Sequence, residues 1–162
     1  MAIAGPVFLD TSVLLAGLIE FAGPDASAQR ILAAVANSSL RRAQTAWHCC
    51  LEFYSVATRL PEEFRLGPAD AARLLEEEIL RRFEVVDLPG DGRLELLRAA
   101  AADHIAGGRI YDTHIAEVAR AAGARCVVTE NRRHFLALLR HGIMVLTGDE
   151  FVREAKLGTK RG

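Results

Sequence analysis

The sequence is short of lysine, and this shortage limits the chemistry that the chain can carry out. Only Lys156 and Lys160 are lysines among 20 basic residues. Mechanisms that need a lysine nucleophile, a Schiff base or a phosphate-binding lysine therefore have no candidate in the body of the chain. The other basic residues are arginines, whose guanidinium groups can still bind phosphate through paired hydrogen bonds.

Aromatic residues are also few, at seven Phe, two Tyr and one Trp. They form no interleaved stacking surface of the kind on which single-stranded nucleic acid is bound. The net charge of −1, from 20 basic and 21 acidic residues, gives no overall positive field. Any contact with nucleic acid is therefore expected to be local and directed at the backbone.

Cysteine is scarce, odd in number and spaced unlike a metal-binding motif. Cys49, Cys50 and Cys126 lie in apolar segments, where reduced thiols behave as small hydrophobic groups. The N-terminus lacks a basic region, Asp10 interrupts its apolar stretch, and the apolar run at 13–19 is too short to span a bilayer. These features predict a cytoplasmic protein that is neither secreted nor inserted in a membrane.

The length and composition predict a globular protein. The chain has 162 residues, of which 51% are hydrophobic and 25% charged, and this composition excludes a disordered or collagenous chain. A chain of this length can bury roughly two-thirds of its surface without disulfide bonds. We expect a single domain over residues 1–156, followed by a flexible tail at 157–162.

Short apolar runs alternate with longer helical patterns along the chain. Strands are predicted at 7–9, 42–46, 83–88, 126–129 and 143–147. Helices are predicted at 13–19, 26–36, 49–60, 68–82, 93–104, 110–122, 135–139 and 149–156, with turns at 23–25 and 89–92. The alternation favours an α/β fold of three layers, α/β/α, around a mainly parallel sheet of about five strands.

In such a sheet, ligands bind beyond the carboxyl ends of the strands, so the residue after each strand is informative. Asp10 follows the first strand. The glycine motifs of dinucleotide-binding and P-loop proteins are absent, and so is the G-x-S-x-G turn of the common α/β-hydrolases. The sequence therefore points away from nucleotide binding and serine hydrolase chemistry.

Two further acids, Glu52 and Asp112, border the apolar faces of their predicted helices. Taken alone, each is most often a cap or a solvated rim residue. If they converged with Asp10, the three carboxylates would raise one another's pKa unless a cation neutralised them. Oxygen ligands suit Mg²⁺ or Mn²⁺, which support phosphodiester hydrolysis. Spacing along the chain leaves open whether the three acids meet.

Four short motifs, in order along the chain, carry a family resemblance. They are residues 8–12 (FLDTS), 52–56 (EFYSV) with Arg59, 108–112 (GRIYD) with Ile115 and Ala116, and 128–131 (VTEN) with His134 and Phe135. With these motifs the chain resembles PIN-domain proteins, specifically the small ribonuclease toxins of VapC type from prokaryotic toxin–antitoxin operons. The resemblance covers nearly the whole chain.

The resemblance implies a set of catalytic residues that hold Mg²⁺ or Mn²⁺. Asp10, Glu52 and Asp112 correspond to the family's acidic metal ligands. Asn131 stands where many members have Asp; it can offer a carbonyl oxygen but no charge, which puts a second metal ion in doubt. The neighbouring Glu130 is expected to point elsewhere.

Three nearby residues are candidates for support or substrate contact. Thr11 and Ser12, by the resemblance, support the site as caps or as hydroxyls that hold water. Arg109 is a candidate for the scissile phosphate, with a salt bridge to a site carboxylate as the alternative. Arg132 and Arg133 are interpreted, by a small margin, as ordinary surface residues.

The residues and the resemblance together predict a metal-dependent endoribonuclease, the toxin of a toxin–antitoxin pair. The family implies an RNA substrate, a cognate antitoxin protein and a homodimer, for which helix faces within 13–19 and 51–60 are candidate contacts. The alternative is a catalytically weak PIN-like RNA-binding or scaffolding protein, which Asn131 and the small net charge would suit. A receiver-like phosphoacceptor domain is disfavoured, because no lysine precedes Lys156.

His114 invites a metal-binding role because it follows Asp112 by two residues. Residues two apart on a helix face different directions, so the two side chains are not expected to share a ligand. We therefore expect a solvated histidine at this position.

Overall fold

A computed structural model describes residues 3–19 and 26–157. Five strands, all parallel, form its central sheet in the order β3-β2-β1-β4-β5. The strands are β1 (Val7–Leu9), β2 (Ala43–Ala46), β3 (Glu84–Val86), β4 (Cys126–Val128) and β5 (Met144–Leu146). The α/β prediction is confirmed. The predicted turn at 23–25 and all but the first residue of the predicted tail lie outside the described residues.

The helices follow the predicted pattern with a few local differences. The α-helices are α1 (Thr11–Leu18), α2 (Ala26–Ala36), α3 (Trp47–Ala57), α4 (Pro68–Leu74), α5 (Gly92–Ala102), α6 (Arg109–Ala121) and α7 (Gly148–Glu154). The helix predicted at 68–82 is α4 followed by a π-helical segment, Leu75–Leu80. The helix predicted at 135–139 overlaps a 3₁₀-helix, Leu136–His141, which is preceded by another, Arg132–His134.

The path of the chain explains the three layers. The chain moves from β1 to β2 to β3 in one direction and then returns past β1 to β4 and β5. Because crossovers between parallel strands are right-handed, this reversal places α1 to α4 on one face of the sheet and α5 and α6 on the other. Consistently, α1 contacts α2 and α3, whereas α5 contacts α6.

The core lies around the central strands. All residues of β1 and β4 are buried, as expected of strands covered on both faces. The three cysteines are free and buried, and burial raises the pKa of the Cys49 and Cys126 thiols to about 12 and that of Cys50 to about 11. They therefore stay protonated and pack as hydrophobic groups, as predicted.

The reversal of strand order creates a switch point between β1 and β4. Leu9 pairs in register with Val128, so Asp10 and Thr129 leave the sheet side by side at its carboxyl edge. On the other side of β1, the Thr45 hydroxyl donates a hydrogen bond of 2.8 Å to the Leu9 carbonyl. Ligand sites in sheets of this kind lie at the switch point.

Among the helices within residues 3–19 and 26–157, none combines the length and the apolar character that crossing a membrane needs.

Candidate active site

Asp10 occupies the switch point and is held there by both backbone and side chain. Its N–H donates to the Val128 carbonyl (3.0 Å), and its own carbonyl accepts from the N–H of Val13 (3.0 Å) in α1. The residue is only 4% exposed. Its Oδ2 atom accepts hydrogen bonds from the hydroxyls of Thr129 (2.8 Å) and Ser12 (3.0 Å).

The surroundings of Asp10 disfavour its charged form. Burial raises the pKa of its carboxyl group above the ordinary 3.8, and the negative charge of Glu52 adds to the rise. Hydrogen bonds from Thr129, Ser12 and the Thr11 backbone act in the opposite direction. A carboxylate buried beside a second acid is stabilised by a cation, and the site therefore suits one.

Thr129 links Asp10 to the segment that follows β4. Its hydroxyl oxygen accepts a hydrogen bond of 3.0 Å from the Asn131 N–H, while the Ser12 hydroxyl oxygen accepts one of 3.0 Å from the Glu130 N–H. Thr129 is fully buried. No role for it is predicted from the sequence, although its place directly after a buried strand and within the fourth motif is a usable signal.

The two residues that follow Thr129 diverge. The Glu130 side chain turns toward α7, where Oε1 accepts a hydrogen bond of 3.0 Å from the Gly148 N–H. It points away from Asp10, in agreement with the expectation. Asn131 is exposed and directly precedes the 3₁₀-helix Arg132–His134, so its amide group is available to solvent and to ligands.

Glu52 and Asp112 each have a histidine partner. In α3, His48 Nε2 lies 3.6 Å from Glu52 Oε2, one helical turn away. In the first turn of α6, Asp112 Oδ2 lies 2.9 Å from His134 Nδ1. Because α6 leads into the amino end of β4 and α3 follows directly from β2, both helices begin near the carboxyl edge of the sheet. Both acids therefore lie toward the edge that carries Asp10.

The structure does not join the three acids into a ready-made metal centre. Within residues 3–19 and 26–157, no three or more His, Cys, Asp and Glu side chains form a group that could hold a metal ion. Asp10 and Glu52 interact electrostatically, while Asp112 is engaged with His134. The donor chemistry nevertheless fits Mg²⁺, which is usually held by one or two carboxylates with water and substrate phosphate completing its shell.

His114 is not the solvated histidine that its spacing from Asp112 predicts. Its Nδ1 atom lies 3.1 Å from Nδ1 of His48 in α3, and its Nε2 atom lies 3.9 Å from Asp87 Oδ1. Burial, and then the proximity of His48, lower the pKa of the His114 imidazole. The expectation is wrong because the partner comes from another helix, 66 residues earlier in the chain.

A pocket of about 200 Å³ opens between α5, α6 and the 3₁₀-helices, with Asp112 in its wall. Three arginines line it, namely Arg109, Arg133 and Arg140. Arg140 lies 4.0 Å from Asp103. Outside the pocket lining, Arg132 pairs with Glu150 at 3.0 Å, which agrees with its interpretation as a surface residue. Three acids, Asp103, Asp112 and Glu117, also line the pocket, so it gathers arginines without an excess of basic charge.

A parallel five-stranded sheet with a buried acid at its switch point defines an α/β protein with an acidic site at the carboxyl edge. The sequence profile of the PIN domain family matches residues 6–133 of the chain. Ribonuclease VapC27 of Mycobacterium tuberculosis is 39% identical over 112 residues, which cover 68% of this chain and 74% of that protein. The chain belongs to the PIN domain family.

Solved structures share the fold at lower identity. FitAcB from Neisseria gonorrhoeae is similar with a TM-score of 0.58 and 21% identity, over 88% of this chain and 97% of that one. DNA-bound VapBC from Salmonella typhimurium has a TM-score of 0.61 and 21% identity, over 91% of this chain and 99% of that one. PAE2754 from Pyrobaculum aerophilum has a TM-score of 0.60 and 24% identity, over 96% of this chain and 92% of that one. These likenesses extend over most of each chain and concern the architecture alone.

Proposed function

We propose that the chain is a metal-dependent endoribonuclease that hydrolyses RNA phosphodiester bonds. The observation that carries the proposal is Asp10, a buried acid at the switch point whose charge is disfavoured by burial and by Glu52. The identity with a ribonuclease over 112 residues supports the choice of RNA as substrate. The all-oxygen donors support Mg²⁺ or Mn²⁺ as the cofactor.

Each residue of the site has a distinct task in this proposal. Asp10 anchors the ion, with Glu52 and Asp112 as further ligands, either directly or through water. Asn131 contributes an uncharged oxygen near the same edge. When bound, Mg²⁺ or Mn²⁺ lowers the pKa of a water molecule and stabilises the leaving oxygen. The Thr129 and Ser12 hydroxyls keep the Asp10 carboxylate in one orientation.

The proposal is tested by cleavage of structured RNA with the purified chain, free of any partner protein. Pools of transfer RNA, ribosomal RNA and messenger RNA are incubated with Mg²⁺ or Mn²⁺, and in parallel with EDTA. We expect fragments only with the metal. Asp112→Asn is expected to remove them, because it takes the charge from one of the proposed metal ligands.

Asp103→Asn is the matched control, since it makes the same change in an exposed acid of the same pocket. It should cleave like the wild type. Binding of RNA without cleavage in any pool, by a folded protein, would contradict the proposal and favour the catalytically weak RNA-binding alternative.

The arginines of this pocket lead to a prediction about substrate affinity. Alanine at Arg109 or Arg133 is expected to weaken RNA binding by roughly 3–10-fold while kcat changes little, because an arginine that contacts phosphate contributes uniform binding. For single-stranded RNA, the slope of the logarithm of the binding constant against the logarithm of the salt concentration should become less steep by about 0.7 for each phosphate that the variant no longer neutralises. Fluorescence anisotropy over a range of salt concentrations measures both effects.

Arg73→Ala is the control for this series, because Arg73 lies on α4 and pairs with Asp70 on an exposed surface. It should leave the affinity and the salt slope unchanged. Equal decreases of affinity in Arg73→Ala and Arg133→Ala would show that the pocket has no special role in binding.

We further propose a toxin role, with a cognate antitoxin protein and a homodimer as the assembled forms. Besides the resemblance to VapC toxins, the support is an exposed apolar stripe on α3. Trp47, Leu51 and Tyr54 recur there at helical spacing and are 46%, 55% and 38% exposed. A stripe of large apolar side chains on a surface helix is typical of a protein interface.

A further inference from the structure

Two histidines from different helices form a close pair that the proposed cleavage reaction does not use. His48 lies in the first turn of α3 and His114 in the second turn of α6. Their Nδ1 atoms are 3.1 Å apart, and their rings meet edge to face with an interplanar angle of 66°. The two side chains are 23% and 25% exposed, so solvent reaches both.

The separation of the two nitrogens matches that of two ligands on one transition-metal ion. With Zn–N bonds of about 2.0–2.1 Å and tetrahedral angles, two ligating nitrogens are ~3.3 Å apart. The observed 3.1 Å lies close to this value. Paired imidazole nitrogens suit Zn²⁺, Ni²⁺ or Cu²⁺ rather than the oxygen-preferring Mg²⁺.

The outer sides of both rings carry the partners that such ligands normally have. His48 Nε2 lies 3.6 Å from a Glu52 carboxylate oxygen, and His114 Nε2 lies 3.9 Å from one of Asp87. A histidine that binds a metal through one nitrogen usually directs the other toward a carboxylate, which fixes the ring and increases its basicity. In both members of the pair a carboxylate oxygen lies near Nε2, beyond hydrogen-bond distance, while the two Nδ1 atoms are within hydrogen-bond distance of each other.

The surroundings also leave room for an ion and its remaining ligands. A pocket of about 410 Å³ is lined by both histidines together with Asp87, Tyr111 and the basic side chain of Arg93. The Tyr111 ring lies 5.6 Å from the His48 ring, centroid to centroid. Water can therefore reach the pair and complete the coordination of an ion held by two protein nitrogens.

We propose that His48 and His114 form a two-histidine binding site for a transition-metal ion, with Zn²⁺ as the physiological candidate. The ion binds both Nδ1 atoms, and water fills its other positions. A bound ion links α3 to α6, the two helices that carry Glu52 and Asp112. The site differs from the oxygen-ligand site at Asp10 in its nitrogen ligands and adjoins it through Glu52, which lies beside His48. Its existence does not depend on RNA cleavage.

The test is a calorimetric titration of Zn²⁺ into the full, untagged chain, with Mg²⁺ in large excess to occupy the oxygen-ligand site. We expect one equivalent of Zn²⁺ to bind. Either His48→Gln or His114→Gln should weaken this binding at least tenfold. In ¹⁵N spectra of labelled histidine, Nδ1 of two residues should shift, and both shifts should disappear in either variant.

Two controls separate this site from the others. His141→Gln changes an exposed histidine elsewhere and should bind Zn²⁺ like the wild type, as should Asp10→Asn. Circular dichroism establishes that each variant is folded. If the wild type does not bind Zn²⁺, the proposal is overturned and the contact is a plain hydrogen bond between the imidazoles. Zn²⁺ binding that either folded histidine variant retains in full would also overturn it.

Discussion

Replacement of Asp10 by asparagine is expected to lower RNA cleavage by roughly 10²–10⁴-fold and, at neutral pH without metal, to stabilise the fold. The loss of activity follows from the removal of the anchoring charge, since metal-ion catalysis supplies several kcal/mol of transition-state stabilisation. The gain in stability follows from burial, because the folded protein holds this carboxylate almost entirely out of water.

The pH dependence of the stability gain has a definite sign. The folded-state pKa of Asp10 is raised above the ordinary 3.8, so between that value and the raised pKa the folded protein keeps a proton that the unfolded chain has released. Stability therefore falls as the pH rises through this window and stays lower above it. An asparagine side chain releases no proton, so the stability of Asp10→Asn does not fall in this way as the pH rises.

Thermal unfolding in EDTA measures the difference. Below pH 4 the two proteins should melt together, and above the window the variant should melt at least ~2–4 °C higher, the shift that about 1 kcal/mol gives in a domain of this size. Added Mg²⁺ should stabilise the wild type and not the variant. Asp91→Asn, at an exposed turn residue, serves as control. A variant that melts below the wild type at pH 8 in EDTA would contradict this account.

The fold could be predicted because its elements have strong local patterns. Continuous apolar runs such as 7–9 and 126–128 match strands buried on both faces, and helical periodicity fills the intervals between them. The boundaries were harder to predict. Helix α3 begins at Trp47, two residues before its buried apolar face starts at Cys49, because β2 leads directly into it. The π-helical segment Leu75–Leu80 has no local sequence signal, since it differs from an α-helix only in hydrogen-bond spacing.

The candidate site could be predicted only in part, for a physical reason. Asp10 is identified by its place after a buried strand, which is local information. The partners of the acids are brought in by tertiary structure: the His134 side chain meets Asp112 on another element, and His114 meets His48 66 residues away. Spacing within one helix can exclude a contact, but it cannot reveal contacts between helices. A Mg²⁺ or Mn²⁺ centre formed by Asp10, Glu52 and Asp112 therefore remains a prediction.

The second large effect is expected at Thr129. Valine at this position keeps the shape of the side chain but removes the hydroxyl that donates to Asp10 at 2.8 Å and accepts from the Asn131 N–H at 3.0 Å. A hydrogen bond to a charged group contributes about 1.5–3 kcal/mol. On the acidic limb of the pH–rate profile, we therefore expect cleavage to fall at least ~10-fold in Thr129→Val.

The cause of this loss distinguishes it from the loss in Asp10→Asn. The Thr129 hydroxyl lowers the pKa of Asp10, so its removal raises that pKa further. Asp10 must be ionised to bind a cation, and the acidic limb of the pH–rate profile should therefore move to higher pH. Activity of Thr129→Val should recover as the pH increases, whereas Asp10→Asn has no group to ionise and should stay inactive throughout.

Thr129→Ser is the matched variant, because it keeps the hydroxyl and loses only a methyl group. It should keep the position of the wild-type acidic limb, even if the buried cavity lowers its melting temperature. Cleavage rates measured from pH 5 to pH 9 at saturating Mn²⁺ compare the three proteins. If the pH–rate profile of Thr129→Val matches that of the wild type, the hydroxyl serves only to hold Asn131 at the sheet edge. If valine shifts the acidic limb and serine does not, Thr129 sets the charge of Asp10 and is a positioning residue of the site.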